Sequence, residues 1–258
     1  RAFYFLPVSD PFNDGPITIF DRVPKPGLVV FGSPKNLCTV KRNLSAMNQN
    51  SGYKFLIISG LLLALGLAVF ALSGYLEQPP AWERHWFGWI NHPKGWALLD
   101  SLAILFRTPG TWLPLYALLL MWVFRSKVER PFNLVLVLVV SVALSDQVSS
   151  SLIKPLVQRD RPCRHPLTAA ECQIRVTCGS GYGFVSSHAA NHFALAWALG
   201  WALRARWGKA GLWIGSVWAG LVCIAQIRVG VHFPGDVLVG ALIGLFCASV
   251  ALLLRREG

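Results

Sequence analysis

Charge is the scarcest feature of this sequence. Only 14% of its 258 residues are Asp, Glu, Lys or Arg, against 54% hydrophobic, and the mean hydropathy is +0.49. Soluble domains carry about 25% charged residues, so an ordinary water-soluble domain is excluded and the bilayer is the natural solvent. Negative charge is scarcer still: 12 acidic residues face 24 basic ones, for a net charge of +12. In a soluble chain that excess would suggest nucleic acid. No basic helix or aromatic-studded RNA-binding signature accompanies it, so no nucleic-acid partner is expected. The Lys and Arg stand instead at the ends of apolar runs, as in the cytoplasmic loops of membrane proteins. Metal-binding patterns are missing too, since the six cysteines match no zinc-site spacing.

The first stretch lacks both order signals and targeting signals. Across residues 1–53, Pro7, Pro11, Pro16, Pro24, Pro26 and Pro34 break any periodicity. No charged segment followed by an apolar core marks a standard signal peptide. These residues are expected to form a loosely ordered or appended leader, with the membrane domain running over 54–258.

Long apolar runs are what the chain has in plenty. Residues 55–76 carry no charge and exceed the roughly 20 helical residues, at about 1.5 Å each, that cross a hydrocarbon layer of about 30 Å. Further spans are expected near 111–124, 132–153, 189–203, 210–227 and 237–254. The expected fold is all-α, a polytopic membrane bundle of about six transmembrane helices. Residues 97–106, interrupted by Asp100, either lengthen the second span or form a separate buried turn. Trp82, Trp86, Trp89 and Trp96 lie among Pro, His and charged residues, as in a segment resting at the membrane interface or in an ordinary loop. Asp146, inside the third span, is expected to face protein or water, because a lipid-facing carboxylate would cost about 3 kcal/mol.

Arg125, Lys127 and Arg130 join spans two and three, Arg204, Arg206 and Lys209 join four and five, and Arg255 and Arg256 close the chain. With Lys41, Arg42 and Lys54 they fall on one side, cytoplasmic by the positive-inside rule. The loop from 154 to 175 is also basic and lies on the opposite side, which suits charges that serve chemistry. Cys163, Cys172 and Cys178 cluster in this polar region. In an oxidising compartment Cys163 would pair with Cys178, leaving Cys172 over; elsewhere all three stay reduced.

Three motifs carry reactive side chains. Lys154 and Arg161 are seven residues apart, nearly two turns and one face if the segment is helical, with Pro162 ending it. Such a pair suits a phosphate group or, more simply, lipid headgroups. Ser186, Ser187 and His188 follow a glycine-containing loop and open the fourth span, as an anion cradle at a helix N-terminus or as a simple cap. His232 and Asp236, four apart, can share a helical face; a carboxylate on one imidazole nitrogen leaves the other free to attack. A structural pair is the alternative. Span counting puts all three motifs on one membrane side, where two histidines, two cations and a helix N-terminus together favour phosphoryl transfer.

These residues resemble the type 2 phosphatidic acid phosphatases, a family that includes bacterial undecaprenyl pyrophosphate phosphatases, lipid A phosphatases and soluble vanadium haloperoxidases. The stretch from Lys154 through Arg161 and Pro162 matches the first family motif. Ser186 and His188 match the second, with Val185 and Ser187 replacing the usual Pro and Gly. His232 and Asp236 match the third in spacing, but its opening Ser-Arg is here Ala225 and Gln226. Gln226 retains only a neutral donor for phosphate. Arg228, about 200° further round a helix, replaces the missing Arg only if the backbone departs from helix there.

The resemblance implies that Lys154, Arg161, Ser186 and backbone amides near Ser187 hold the phosphoryl oxygens. His232 would attack phosphorus, Asp236 would orient it, and His188 would protonate the leaving group and then activate water. His192, one turn on, would be supporting or core. No metal or other cofactor is implied. The expected activity is that of an integral membrane lipid phosphate phosphatase; among its lipids undecaprenyl pyrophosphate ranks first, then phosphatidic acid or phosphatidylglycerol phosphate, then lipid A. A bacterial inner membrane is the expected location, with the site on the extracytoplasmic side. The loss at Gln226 keeps a second reading open, a catalytically weakened homologue acting in lipid binding or transport. A vanadium-dependent oxidase is disfavoured because those relatives are mostly soluble.

Overall fold

Proline and apolar runs set the helix boundaries. The computed structural model describes residues 54–68, 78–92, 97–126, 128 and 130–253. The expected leader, the end of the first expected span and Trp96 lie outside the described residues. The chain divides into units 1–43 and 44–258, and only the second is described below.

Among the described residues the fold is all-α. The helices are α1 (Lys54–Ala68), α2 (Ala81–Ile90), α3 (Ala97–Arg107), α4 (Pro109–Arg125), α5 (Pro131–Asp146), α6 (Lys154–Val157), α7 (Ser187–Ala202), α8 (Arg204–Trp207), α9 (Ala210–Arg228) and α10 (Pro234–Leu252). A π-helical stretch, Gln147–Ile153, joins α5 to α6. Helices α4, α5 and α10 start on a proline, whose fixed φ suits a first turn that needs no N–H partner.

By length and composition, three helical rods among the described residues can cross a membrane: Pro131–Val157, Ala210–Arg228 and Pro234–Leu252. The pair Ala97–Arg107 and Pro109–Arg125, bent by 59°, makes a fourth if counted as one broken span. Residues 97–106 are thus a helix of their own. Helix α7 has 16 residues, about 24 Å of rise and short of a full crossing. The described part of α1 is also short, so among the described residues three or four of the expected six spans are long and apolar enough to cross.

Helix α7 is the hub and packs on α5, α9 and α10. Its Ala189, Ala190, Ala194 and Ala198 are completely buried. In lipid, close backbone approach holds helices together, and small residues permit it. Gly240 and Gly244 of α10 show the consequence: a Cβ at Gly240 would lie 2.5 Å from the Ser186 carbonyl oxygen, and one at Gly244 would overlap that of Ala190. The Ser186 N–H donates to the Asp236 carbonyl at 2.9 Å. That bond and the glycine contacts fasten the N-termini of α7 and α10 side by side.

Helix α2 is amphipathic. Trp82, Trp86 and Trp89 face outward, while Glu83 and Phe87, one turn apart, face inward and are buried. The tryptophan segment is therefore a helix, and its inward face carries a carboxylate toward the α7 and α10 ends.

Candidate active site

Lys154 and Arg161 do converge, but not along a helical face. Helix α6 ends at Val157 because Gln158 adopts a left-handed backbone with φ 53°, and the chain turns before it reaches Arg161. Lys154 Nζ donates to Ser187 Oγ at 3.0 Å. Ser149 and Ser150, on the π-helical stretch, also bring their hydroxyls to 3.0 Å from Ser187 Oγ. The wider turn re-aims these side chains, a common use of π-helical geometry. Arg161 is steadied by its Nε donating to the Gly181 carbonyl at 2.9 Å and its Nη1 to that of Val231 at 3.2 Å.

Cys163 and Cys178 form a disulfide and leave Cys172 as a buried thiol. The bridge ties the segment after Arg161 to the segment before Gly181. Its loop spans 15 residues, so Cys178→Ser is expected to lower stability by about 3 kcal/mol. Thermal melting of the purified variant in detergent would check this.

Ser186 is the N-cap of α7, its Oγ accepting from Ala189 N at 3.4 Å. Ser187 and His188 begin the helix half-buried. His192 Nδ1 lies 2.8 Å from the His188 carbonyl oxygen and its ring stacks 6.3 Å from that of His188, which places it behind His188.

His232 and Asp236 meet across a helix start instead of sharing a helical face. His232 precedes the N-cap Phe233, and Asp236 is the third residue of α10. Asp236 Oδ2 accepts from Phe233 N at 2.8 Å and lies 3.5 Å from His232 Nδ1. The latter contact is electrostatic and too long for a well-formed hydrogen bond. His232 Nε2 lies 3.5 Å from Arg161 Nη1. One ring nitrogen thus faces a carboxylate and the other a guanidinium.

Burial pushes the His232 imidazole down to about 4; Asp236 opposes this, while Arg161 and Lys154 reinforce it. The ring is therefore neutral at pH 7, with a lone pair available. An unperturbed imidazole titrates near 6.5. Between 6.5 and 4 the unfolded chain binds the proton first, so this group's contribution to stability is present above 6.5 and is lost as pH falls toward 4. The acid limb that His232 imposes on kcat/KM is expected near pH 4. A pH profile corrected for the ionisation of the substrate would show it, and a limb near 6.5 would contradict it.

The residue-pattern reading missed a buried charge cluster behind Asp236. Arg159 Nη1 donates to Asp236 Oδ1 at 2.8 Å, and its Nη2 to Glu83 Oε2 at 2.5 Å. Glu83 Oε1 also accepts from Gly235 N at 2.7 Å. The guanidinium lies 4.6 Å over the Phe233 ring. Arg159 sits between the two cations of the first motif and was legible as a charge there. Glu83, 76 residues earlier, carried no signal.

Gln226 is fully buried, its Oε1 accepting from Arg107 Nε at 3.3 Å. Arg228 remains within α9 and is committed elsewhere: its Nη2 lies 2.8 Å from Asp100, which also pairs with Arg175 at 2.6 Å. It does not replace the missing arginine. Asp146 faces protein, accepting from Asn191 Nδ2 at 2.9 Å. With Gln147, Asn191 and His192 it forms the polar end of a mostly apolar cavity of about 740 Å³ between α4, α5 and α7. Among the described residues no group of three or more His, Cys, Asp or Glu could hold a metal ion.

The chain is similar to several known proteins. The PAP2 superfamily matches residues 132–257. A lipid A 4′-phosphatase of Porphyromonas gingivalis is 33% identical over 168 residues, 63% of this chain and 68% of that protein. A lipid A 4′-phosphatase of Bacteroides thetaiotaomicron is 34% identical over 152 residues, 57% of this chain and 65% of that protein, just under two thirds of its length. The crystal structure of Aquifex aeolicus LpxE superposes with a TM-score of 0.51 at 25% identity, covering 68% of this chain and 97% of that one. That of a transmembrane PAP2-type phosphatidylglycerolphosphate phosphatase from Bacillus subtilis gives 0.55 at 20% identity, covering 76% and 93%, a likeness of fold alone.

Proposed function

This chain belongs to the PAP2 superfamily and is an integral membrane protein, and we propose that it is a phosphatase acting on a membrane lipid phosphate. The observation that carries the reading is the setting of His232, with Nδ1 toward Asp236 and Nε2 toward Arg161. His232 Nε2 attacks phosphorus while the bond from phosphorus to the lipid oxygen breaks. His188 gives its proton to that oxygen. Water then attacks the phosphohistidine, loses a proton to His188, and releases phosphate with His232 restored. Lys154, Arg161, Ser186 and the amides at Ser187 hold the phosphoryl oxygens; Asp236 orients the nucleophile, and Arg159 and Glu83 orient Asp236.

The names of the relatives move lipid A, a phosphorylated glycolipid, to the front of the substrate order, ahead of phosphatidylglycerol phosphate, phosphatidic acid and undecaprenyl pyrophosphate. The apolar cavity beside His192 suits an acyl chain. Positive charge in the connections supports a site on the extracytoplasmic face of a bacterial inner membrane, and six spans remain the proposed topology. The test is phosphate release by detergent-purified protein, with EDTA present, from each of these four lipids. Release from lipid A above the others supports the full reading. Preference for another lipid overturns only the substrate order, and no release from any of them favours a homologue acting in lipid binding or transport.

A further inference from the structure

Six residues before His232, where the family carries an arginine, this chain has Gln226. A neutral amide there leaves the site one cation short, and the amide itself is unusual in its surroundings. It is fully buried, and its Nε2 has no hydrogen-bond partner among the described residues. A buried amide N–H left unpaired costs about 1–3 kcal/mol. Its backbone carbonyl accepts from the N–H of Val231, the residue before His232, at 3.4 Å, and a phosphoryl oxygen at that end of α9 would be an acceptor for the amide.

The other end of the amide is occupied by Arg107, the last residue of α3, whose Nε donates to Gln226 Oε1 at 3.3 Å. The placement follows from packing. Ala103, one turn earlier on the same face, is buried against Ala225, Val229 and Val231, so α3 lies along the part of α9 that leads to His232. The chain then bends by 59° into α4, which ends α3 at this point. Nη1 and Nη2 of Arg107 make no hydrogen bond to any described residue, and no described carboxylate pairs with it.

Three other buried or half-buried guanidinium groups differ in this respect. Arg159 is balanced by Glu83 and Asp236, and Arg175 and Arg228 by Asp100. The charge of Arg107 is felt at both His188 and Arg161, the two groups on either side of the proposed phosphoryl position. A half-buried cation with two unused donors, beside a buried amide with a third, forms a donor set for a tetrahedral oxyanion.

We propose that Arg107 is a phosphoryl-binding residue of this site, supplying from α3 the guanidinium that Gln226 no longer provides from α9, with Gln226 as the side chain that orients it. The proposal rests on the phosphatase reading, so its test includes a measurement that needs no turnover. Orthovanadate, a phosphate-like oxyanion, is titrated into purified protein, and kcat/KM is measured on the preferred lipid. Arg107→Gln is expected to weaken vanadate binding and to lower kcat/KM by roughly 10²-fold, the scale of removing one preorganised donor. The exchanged pair, Arg107→Gln with Gln226→Arg, returns the guanidinium to α9 and is expected to recover both to within about tenfold of wild type.

Vanadate affinity in Arg107→Gln within threefold of wild type would overturn the proposal. So would a loss that the exchanged pair, folded by its melting curve, fails to recover. Should the larger side chain at position 226 prevent folding, Arg107→Ala with added guanidinium ion takes its place: recovery of vanadate binding supports the proposal, and none overturns it. A wild type that binds vanadate but hydrolyses no lipid would refute the phosphatase reading while leaving the role of Arg107 to the binding data.

Discussion

His232→Ala is expected to fold and to release no measurable phosphate, a loss of at least about 10⁴-fold in kcat. In free energy that is about 5 kcal/mol of transition-state stabilisation. The size follows from the proposed chemistry, in which the imidazole forms the covalent bond to phosphorus and no neighbouring group replaces it. His188 is the other histidine of the site, but it stands on α7, and the proposed mechanism assigns it to the leaving oxygen. Lys154 and Arg161 remain in place in the variant, since their anchors are Ser187 Oγ and the carbonyls of Gly181 and Val231. Anion binding is therefore expected to fall far less than turnover.

Folding is expected to survive the same substitution. Asp236 keeps its bonds from Arg159 Nη1 and Phe233 N, and the lost ring leaves a void costing about 2 kcal/mol. The decisive comparison is between lipid phosphate release and orthovanadate affinity in one preparation. Silence with retained affinity supports nucleophilic catalysis. Residual turnover above about 1% of wild type would mean that water is activated directly, and the phosphohistidine step would be abandoned.

Much of this site was legible as residue types at fixed spacings. Lys154, Arg161, Ser186, Ser187, His188, His232 and Asp236 all lie at one end of the bundle, because alternating helix directions return the chain to that end. The means of convergence were not legible. Reading Lys154 and Arg161 as one helical face assumed that the helix continues, whereas a left-handed Gln158 ends it early. Reading His232 and Asp236 as one face assumed a turn already wound, whereas proline begins α10 between them. The π-helical stretch that carries Ser149 and Ser150 to Ser187 has no composition that separates it from α-helix.

Span lengths were the other weak point. Apolar runs locate α5, α9 and α10 well because each is long and uninterrupted. Helix α7 is short, and its alanines serve close packing against α10 rather than contact with lipid, so its hydropathy and its 16-residue length give different answers about a crossing. Arg107 was hidden for a related reason. It ends an apolar helix at a bend, where a terminal arginine ordinarily marks the membrane surface, and only the packing of Ala103 on α9 turns it toward Gln226.

Glu83→Gln is expected to lower stability by about 3–4 kcal/mol and the melting temperature in detergent by about 10 °C, although residue 83 is far from the site in sequence. Arg159 is buried with almost no solvent contact and is neutralised from two sides, by Glu83 and by Asp236. Taking the charge from Glu83 leaves a buried guanidinium with one carboxylate, which it then draws away from His232. The Gly235 N–H also rests on Glu83, so the start of α10 loosens at the residue beside Asp236. Activity should therefore fall about tenfold or more in the protein that remains folded. Replacing both partners, Glu83→Leu with Arg159→Met, removes the buried charge altogether and is expected to restore most of the melting temperature, because a buried pair contributes less than its half-removal costs. It should not restore activity, since Asp236 then lacks the guanidinium that holds Oδ1. A double variant that recovers both stability and turnover would show that Arg159 and Glu83 serve packing alone. Recovery of stability without turnover would assign the cluster to the orientation of His232.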